Sequence, residues 1–266
     1  MSVDLLLRGL PDQYFTASRD APSDFWFFLH IPKTAGSSFR AELASRLRPD
    51  ANIFVTYEDP HASHEERLHQ AVSVFLASAG KIPPRFASGH LYRAHVELLR
   101  AAYPHIKLIT MLRHPVARVI SDYRYQRTPA HPPHREFIEA FPDLGCYVRC
   151  RPEQNKMHHY LSRYPGQPVD EVVREIEREF VFVGTQEQYE YSCRVLFALL
   201  GRLEYPVIYD RKTQDTDENR LESIDYSAEI EATNSLDMQL YRYFSDRLAA
   251  VQNATEQALP SLVNAR

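Results

Sequence analysis

Residues 25–39 read FWFFLHIPKTAGSSF, and this stretch decides the fold. Phe25–Ile31 is an almost continuous apolar run, the pattern of a strand buried on both faces. Gly36–Leu47 carries Phe39, Leu43 and Leu47 at i, i+4 and i+8, the spacing of an amphipathic helix. A buried strand, a turn of small residues and a helix make the opening unit of a parallel α/β sheet.

Outward from this unit the same alternation repeats. Ser63 and Glu66 have capping-box spacing ahead of Leu68, Val72, Phe75 and Leu76, so a helix starts there. Arg85–Gly89 reads as a short strand and Ala94–Ala102 as a helix closed by Pro104. Ile106–Leu112 (IKLITML) is a second buried strand, and Pro115–Gln126 a helix with proline in its first turn. Val169–Glu179 is helical by its Val/Ile spacing, and Phe180–Gly184 (FVFVG) is a third apolar strand. Thr185 and Gln188 suggest another capping box, opening a helix through Leu200. Pro206–Tyr209 is expected as a last strand and Leu236–Val251 as a terminal helix. The expected fold is a three-layer α/β sandwich around a mostly parallel sheet, with ligands bound beyond the carboxyl ends of the strands.

Length and composition agree. The 266 residues suit one domain, taken as 1–266 with an N-terminal extension at 1–23 and surface loops at 127–137 and 210–227. Sixteen Tyr, fourteen Phe and 44% apolar residues exclude general disorder. The net charge of −4 argues against a nucleic-acid partner, so any anion must be held by a local site. No apolar run approaches the roughly 18–20 residues that span a bilayer, and the N-terminus lacks the plan of a signal peptide. A soluble, cytoplasmic protein is expected. Cys146, Cys150 and Cys193 make no disulfide scaffold. Cys146 and Cys150 are spaced to pair or to bind metal, with free thiols as the plainer reading. No second ligand pair completes a zinc set, and no metal site is expected.

The turn after the first strand carries the chemistry. A helix N-terminus offers free amides and the positive end of the macrodipole. Lys33 adds a point charge, Thr34, Ser37 and Ser38 add hydroxyls, and Ala35 and Gly36 keep the backbone accessible. The order differs from the nucleotide-triphosphatase loop, where glycines precede the lysine and a Mg²⁺-binding hydroxyl follows it directly. A site built on this turn is expected to work without metal. FLHIPKTAGSSF resembles the 5′-phosphosulfate-binding loop of sulfotransferases that use 3′-phosphoadenosine 5′-phosphosulfate (PAPS). The wording is closest to the branch of heparan sulfate 2-O-sulfotransferase and bacterial relatives.

That resemblance implies a second signature, an arginine at a strand end with a serine eight residues later, holding the donor's 3′-phosphate. Arg113 and Ser121 match it in ITMLRHPVARVISDY, residues 109–123. The physics agrees: a guanidinium fork at a strand's carboxyl edge grips phosphate oxygens, and Ser121 lies about two turns into the helix. Arg118 falls on another face and reads as a surface charge. FVGTQE, residues 182–187, resembles the family's late strand-to-helix segment. The resemblance also makes His90, in FASGH, the general base, with Ser88 where that branch has a second histidine. It places Asn155, His158 and His159 on the acceptor side and Arg211 and Lys212 in a basic loop at the 3′-phosphate end. The implied activity is PAPS-dependent sulfuryl transfer to an acceptor hydroxyl, favoured on a carbohydrate or small metabolite, with a small-molecule or a glycan- or lipid-linked acceptor as partner, in a bacterial-type enzyme. A P-loop-type kinase and a non-catalytic nucleotide-binding relative stand as alternatives.

Overall fold

The computed structural model describes residues 2–56, 61–78, 84–131, 133–208 and 217–264. The chain runs α1 (Asp4–Leu7), α2 (Pro11–Ser18), β1 (Phe25–Leu29), α3 (Gly36–Arg46), β2 (Asp50–Ile53), α4 (His64–Ser78), β3 (Phe86–Gly89) and α5 (Arg93–Ala102). It continues through β4 (Ile106–Leu112), α6 (Pro115–Gln126), α7 (His134–Ala140), α8 (Leu144–Arg149), α9 (Lys156–Leu161) and α10 (Val169–Glu179). β5 (Phe180–Thr185), α11 (Tyr189–Leu199), α12 (Asp217–Thr233) and α13 (Ser235–Asn264) complete it.

The strands form one sheet in the order β2-β3-β1-β4-β5, and every pairing is parallel. All residues of β1, β3 and β5 are buried. Since successive side chains point to opposite faces, both faces of the sheet are covered. Full burial of a side chain such as Phe27 or Phe182 contributes about 1.5–3 kcal/mol. The chain leaves β1 toward β2 and leaves β4 toward β5, on opposite sides of the sheet. The crevice beyond the carboxyl ends of β1 and β4 is therefore the topological switch point of this sheet.

Several elements depart from the sequence reading. Residues 1–23 are not an appendage: Val3, Leu6, Tyr14 and Phe15 are buried in the main core. The Val3 amide donates to the Phe180 carbonyl at 2.8 Å and the Tyr14 hydroxyl to the Val181 carbonyl at 3.0 Å, tying this segment to β5. The expected loop at 127–137 gives way to α7 at His134, because Phe137 packs with Tyr123 and Tyr147 in a second apolar cluster. The expected loop at 210–227 becomes α12 from Asp217, whose Ile230 and Tyr226 pack into that same cluster. Residues 209–216 lie outside the described residues. No strand forms at 206–208, where Glu42 Oε1 instead accepts the Val207 and Ile208 amides at 2.5 and 2.6 Å. Thr185 ends β5 and does not cap α11. Its hydroxyl donates to Gln188 Oε1 at 3.2 Å, and α11 starts at Tyr189. The Ser63–Glu66 capping box forms as read, with reciprocal bonds of 2.7 and 3.2 Å.

Candidate active site

The turn after β1 is held in an unusual shape. Lys33 (φ 68°) and Ala35 (φ 63°) are both left-handed, and each costs a non-glycine residue about 1–2 kcal/mol. Ala35 stands at the N-cap of α3, which has no side-chain cap. The first amides of the helix lie at the positive end of its dipole, a place that suits an anion. Strain of this kind persists where function requires it.

Thr34 and Gly36 have duties other than those expected. Thr34 is buried, and its hydroxyl donates to the Ile31 carbonyl at 2.9 Å, so its one proton braces the turn. A Cβ at position 36 would fall 1.8 Å from His30 Nε2. The space that glycine leaves is filled by the His30 ring. Ser37 is exposed and Ser38 buried at the start of the helix.

Arg113 reaches this turn from the adjacent strand. Leu29 of β1 pairs with Thr110 of β4, and Arg113 Nη1 donates to the Lys33 carbonyl at 3.1 Å. Lys33 Nζ lies 3.9 Å from the centroid of the Tyr125 ring. Tyr125 is one helical turn beyond Ser121 on α6 and so shares its face. Lys33, Arg113 and Ser121 thus gather at one crevice. The turn after β5 joins them, with Glu187 Oε1 accepting the His114 amide at 2.9 Å.

Arg118 is no surface charge. It is fully buried and paired with Asp122 at 3.1 Å. Asp122 also accepts from Lys156 Nζ at 2.9 Å and from the Tyr147 hydroxyl at 3.0 Å. Burial alone would raise the Asp122 pKa, but the Lys156 and Arg118 charges outweigh it and hold the carboxylate below its ordinary range.

His90 follows β3 on the other side of β1, where Leu29 pairs with Gly89. Its Nδ1 lies 2.7 Å from the His30 carbonyl. A carbonyl only accepts, so Nδ1 carries the proton and Nε2 of the neutral ring keeps a lone pair. Burial lowers the His90 pKa although an edge of the ring reaches solvent. The bond to His30 and the Asp122 charge oppose that shift, and His64 and Lys33 add to it. Burial also lowers His30, helped by His90, Arg40 and Lys33, to well below the ordinary imidazole value. Ser88 is engaged elsewhere: it accepts from Arg40 Nε and donates to Asn52 Oδ1, both at 2.9 Å.

The expected acceptor-side residues divide. Asn155 Oδ1 accepts the Leu236 and Asp237 amides at 3.0 and 3.2 Å, and its Nδ2 donates to the Thr233 carbonyl at 3.2 Å. In return Asp237 accepts the Met157 and His158 amides. These are reciprocal caps for α9 and α13, and they occupy Asn155. His158 is buried, with Nε2 2.8 Å from the Gln167 carbonyl. His159 alone is exposed, edge-on to Tyr92 at 4.7 Å. Sequence reasoning missed Tyr125 and the Asp122 network. The i, i+4 spacings Arg118/Asp122 and Ser121/Tyr125 were the available signals. Arg211 and Lys212 lie outside the described residues.

Among the described residues Cys146, Cys150 and Cys193 are free thiols, and no group of three or more His, Cys, Asp or Glu side chains is arranged to hold a metal ion. No described helix is long and apolar enough to cross a membrane. No family model and no curated protein matches the chain. Among solved structures it is similar to mouse sulfotransferase SULT7A1 complexed with PAP, at 15% identity over 85% of this chain and 70% of that chain, TM-score 0.43. It is also similar to a sulfotransferase from Alicyclobacillus acidocaldarius, at 16% identity over 82% of this chain and 96% of that chain, TM-score 0.42. Neither likeness is close enough to bear on function.

Proposed function

We propose that the chain is a PAPS-dependent sulfotransferase that transfers the sulfuryl group to an acceptor hydroxyl by in-line displacement. One contact carries this reading: the 3.1 Å bond from Arg113 to the Lys33 carbonyl, which joins two anion-binding turns across the switch point of the sheet. A nucleotide with phosphate at both its 5′ and 3′ positions matches two such turns. The uncapped, strained start of α3 fits a 5′-phosphosulfate, and the Arg113 fork with nearly buried Ser121 fits a 3′-phosphate. PAPS, when bound, supplies the activated sulfuryl group.

The chain's own residues do the rest. Amides at Ala35, Gly36, Ser37 and Ser38 and the Lys33 ammonium stabilise charge on the departing 5′-phosphate oxygen. Arg113 and Ser121 hold the 3′ end, where Arg211 and Lys212 are also assigned. His90 Nε2 takes the acceptor proton as the hydroxyl oxygen attacks, and exposed His159 contacts the acceptor beside Tyr92. The acceptor is a carbohydrate or small metabolite, and the enzyme is cytoplasmic.

Thermal shift and turnover test this together. Adenosine 3′,5′-bisphosphate should stabilise the protein without added metal, and labelled PAPS should pass its sulfate to a member of an acceptor panel. Replacing His90 by Ala should lower that rate by about 10²–10⁴-fold. Stabilisation by ATP–Mg²⁺ alone would point to a kinase. Bisphosphate binding without transfer to any acceptor would point to a non-catalytic relative.

A further inference from the structure

We propose that His30 is a positioning residue for His90: its carbonyl fixes the proton on His90 Nδ1, and its imidazole, wedged between Phe28, Gly36 and His90, holds that ring beside the phosphate loop. The inference rests on the reading of His90 as the base.

Three contacts define the wedge. The His30 ring lies 5.1 Å from Phe28 at 17°, a stacked pair, and 4.1 Å from the His90 ring at 34°. Its Nε2 occupies the space where a side chain at position 36 would begin. The His90 Nδ1 bond to the His30 carbonyl adds a fourth constraint from the same residue. One residue thus touches both the helix start that faces the donor and the ring that faces the acceptor.

The geometry has a consequence for protonation. Two imidazoles whose centroids lie 4.1 Å apart do not both take a proton readily, and the His30 ring shields the inner side of His90 from water. The charged and titratable groups around the pair are Lys33 from the phosphate loop, Arg40 from α3, His64 from the start of α4 and Asp122 from α6. Of these charges Asp122 favours a protonated His90, as does the bond to the His30 carbonyl. Removing the His30 ring opens a void beside Gly36 that water can enter. His90 should then titrate closer to an ordinary imidazole, and its ring should be held less firmly.

Two variants and one spectroscopic measurement test this. In His30→Ala, kcat should fall about 10-fold, within the range that small misplacements cost, while KM for PAPS should stay within about twofold of wild type. The acidic limb of the kcat/KM profile should move to higher pH, because a base of higher pKa needs higher pH to be free. His30→Phe keeps a ring in the wedge and should restore both kcat and the limb. Nitrogen-15 NMR of the resting protein should show His90 protonated on Nδ1 when neutral, with its titration moving upward in His30→Ala only.

A folded His30→Ala protein whose His90 titration and acidic limb match wild type would overturn the proposal, leaving His30 as core filling. Equal loss of kcat in His30→Phe would overturn it in the other direction, since the imidazole would then act chemically. The NMR titration uses neither donor nor acceptor, so it stands apart from the sulfotransferase reading. Full transfer by His90→Ala would sink the base assignment and leave the coupling of the two rings measurable.

Discussion

Replacing Arg113 by Ala separates two jobs of this side chain, one proposed and one seen in the structure. One is a charge-assisted grip on a 3′-phosphate, worth about 1.5–3 kcal/mol. At 1.36 kcal/mol per factor of ten, that is about 10- to 150-fold in affinity. The other is the 3.1 Å bond to the Lys33 carbonyl. Losing it loosens the strained loop; the bond contributes about 1.5–3 kcal/mol to the loop's shape, and the part of that loss that reaches affinity, about 0.5–1.5 kcal/mol, is about 2- to 12-fold. A 5′-monophosphate nucleotide feels only the second loss, whereas adenosine 3′,5′-bisphosphate feels both. Calorimetric titration of Arg113→Ala with each ligand should therefore show a small loss for adenosine 5′-monophosphate and a loss about 10- to 150-fold larger for the bisphosphate. Equal losses for the two ligands would refute the 3′-phosphate assignment, leaving Arg113 as a brace for the loop. No loss for the monophosphate would refute the coupling between the two turns.

Gly36→Ala should destabilise the protein by about 1–3 kcal/mol, since the new methyl meets the His30 ring; in a His30→Ala background the cost should shrink, and denaturant melts of the four-protein cycle measure the difference. Asn155→Ala should cost about 0.5–2 kcal/mol by removing the cap of α13, and unchanged KM for acceptor with lowered Tm would confirm its packing role against a substrate role. His30 is held neutral in the folded chain, with its pKa well below the ordinary imidazole value, so the unfolded chain binds the extra proton as pH falls. Stability should therefore fall as pH drops below about 6.5, and His30→Phe should flatten that slope in melts between pH 7 and 5.

β1, β4 and β5 were legible because they are almost continuous apolar runs, and a parallel sheet covered on both faces demands that composition. β4, α6 and α10 fall on the residues that periodicity gave. β2 was not legible, because its sequence, Asp-Ala-Asn-Ile, buries only Ile53 and owes its strand to backbone pairing with β3. α12 hid in a polar stretch with no clear apolar face in its first half, and it packs through Ile230 and Tyr226 on α6 and α8. The site divides in the same way. Lys33 and Arg113 could be found because they follow apolar runs, where a parallel sheet places its chemistry, and His90 only through the resemblance of its Gly-His element. The duties of Thr34, Gly36, Asn155 and His158 could not, since each depends on a partner that tertiary structure alone supplies.

The two anion turns depend on one another for mechanical reasons as well as by proximity. Left-handed Lys33 and Ala35 together cost about 2–4 kcal/mol relative to relaxed backbone. The Arg113 bond to the Lys33 carbonyl and the Thr34 brace to Ile31 offset a comparable amount, since a charged donor contributes about 1.5–3 kcal/mol and a neutral one about 0.5–1.5. The loop therefore keeps its shape because β4 supplies an arginine at the register where β1 ends. On the proposed function the rest of the Arg113 fork would take the 3′-phosphate while Nη1 keeps the loop in shape, so a doubly phosphorylated nucleotide would engage both turns and a singly phosphorylated one only the α3 amides.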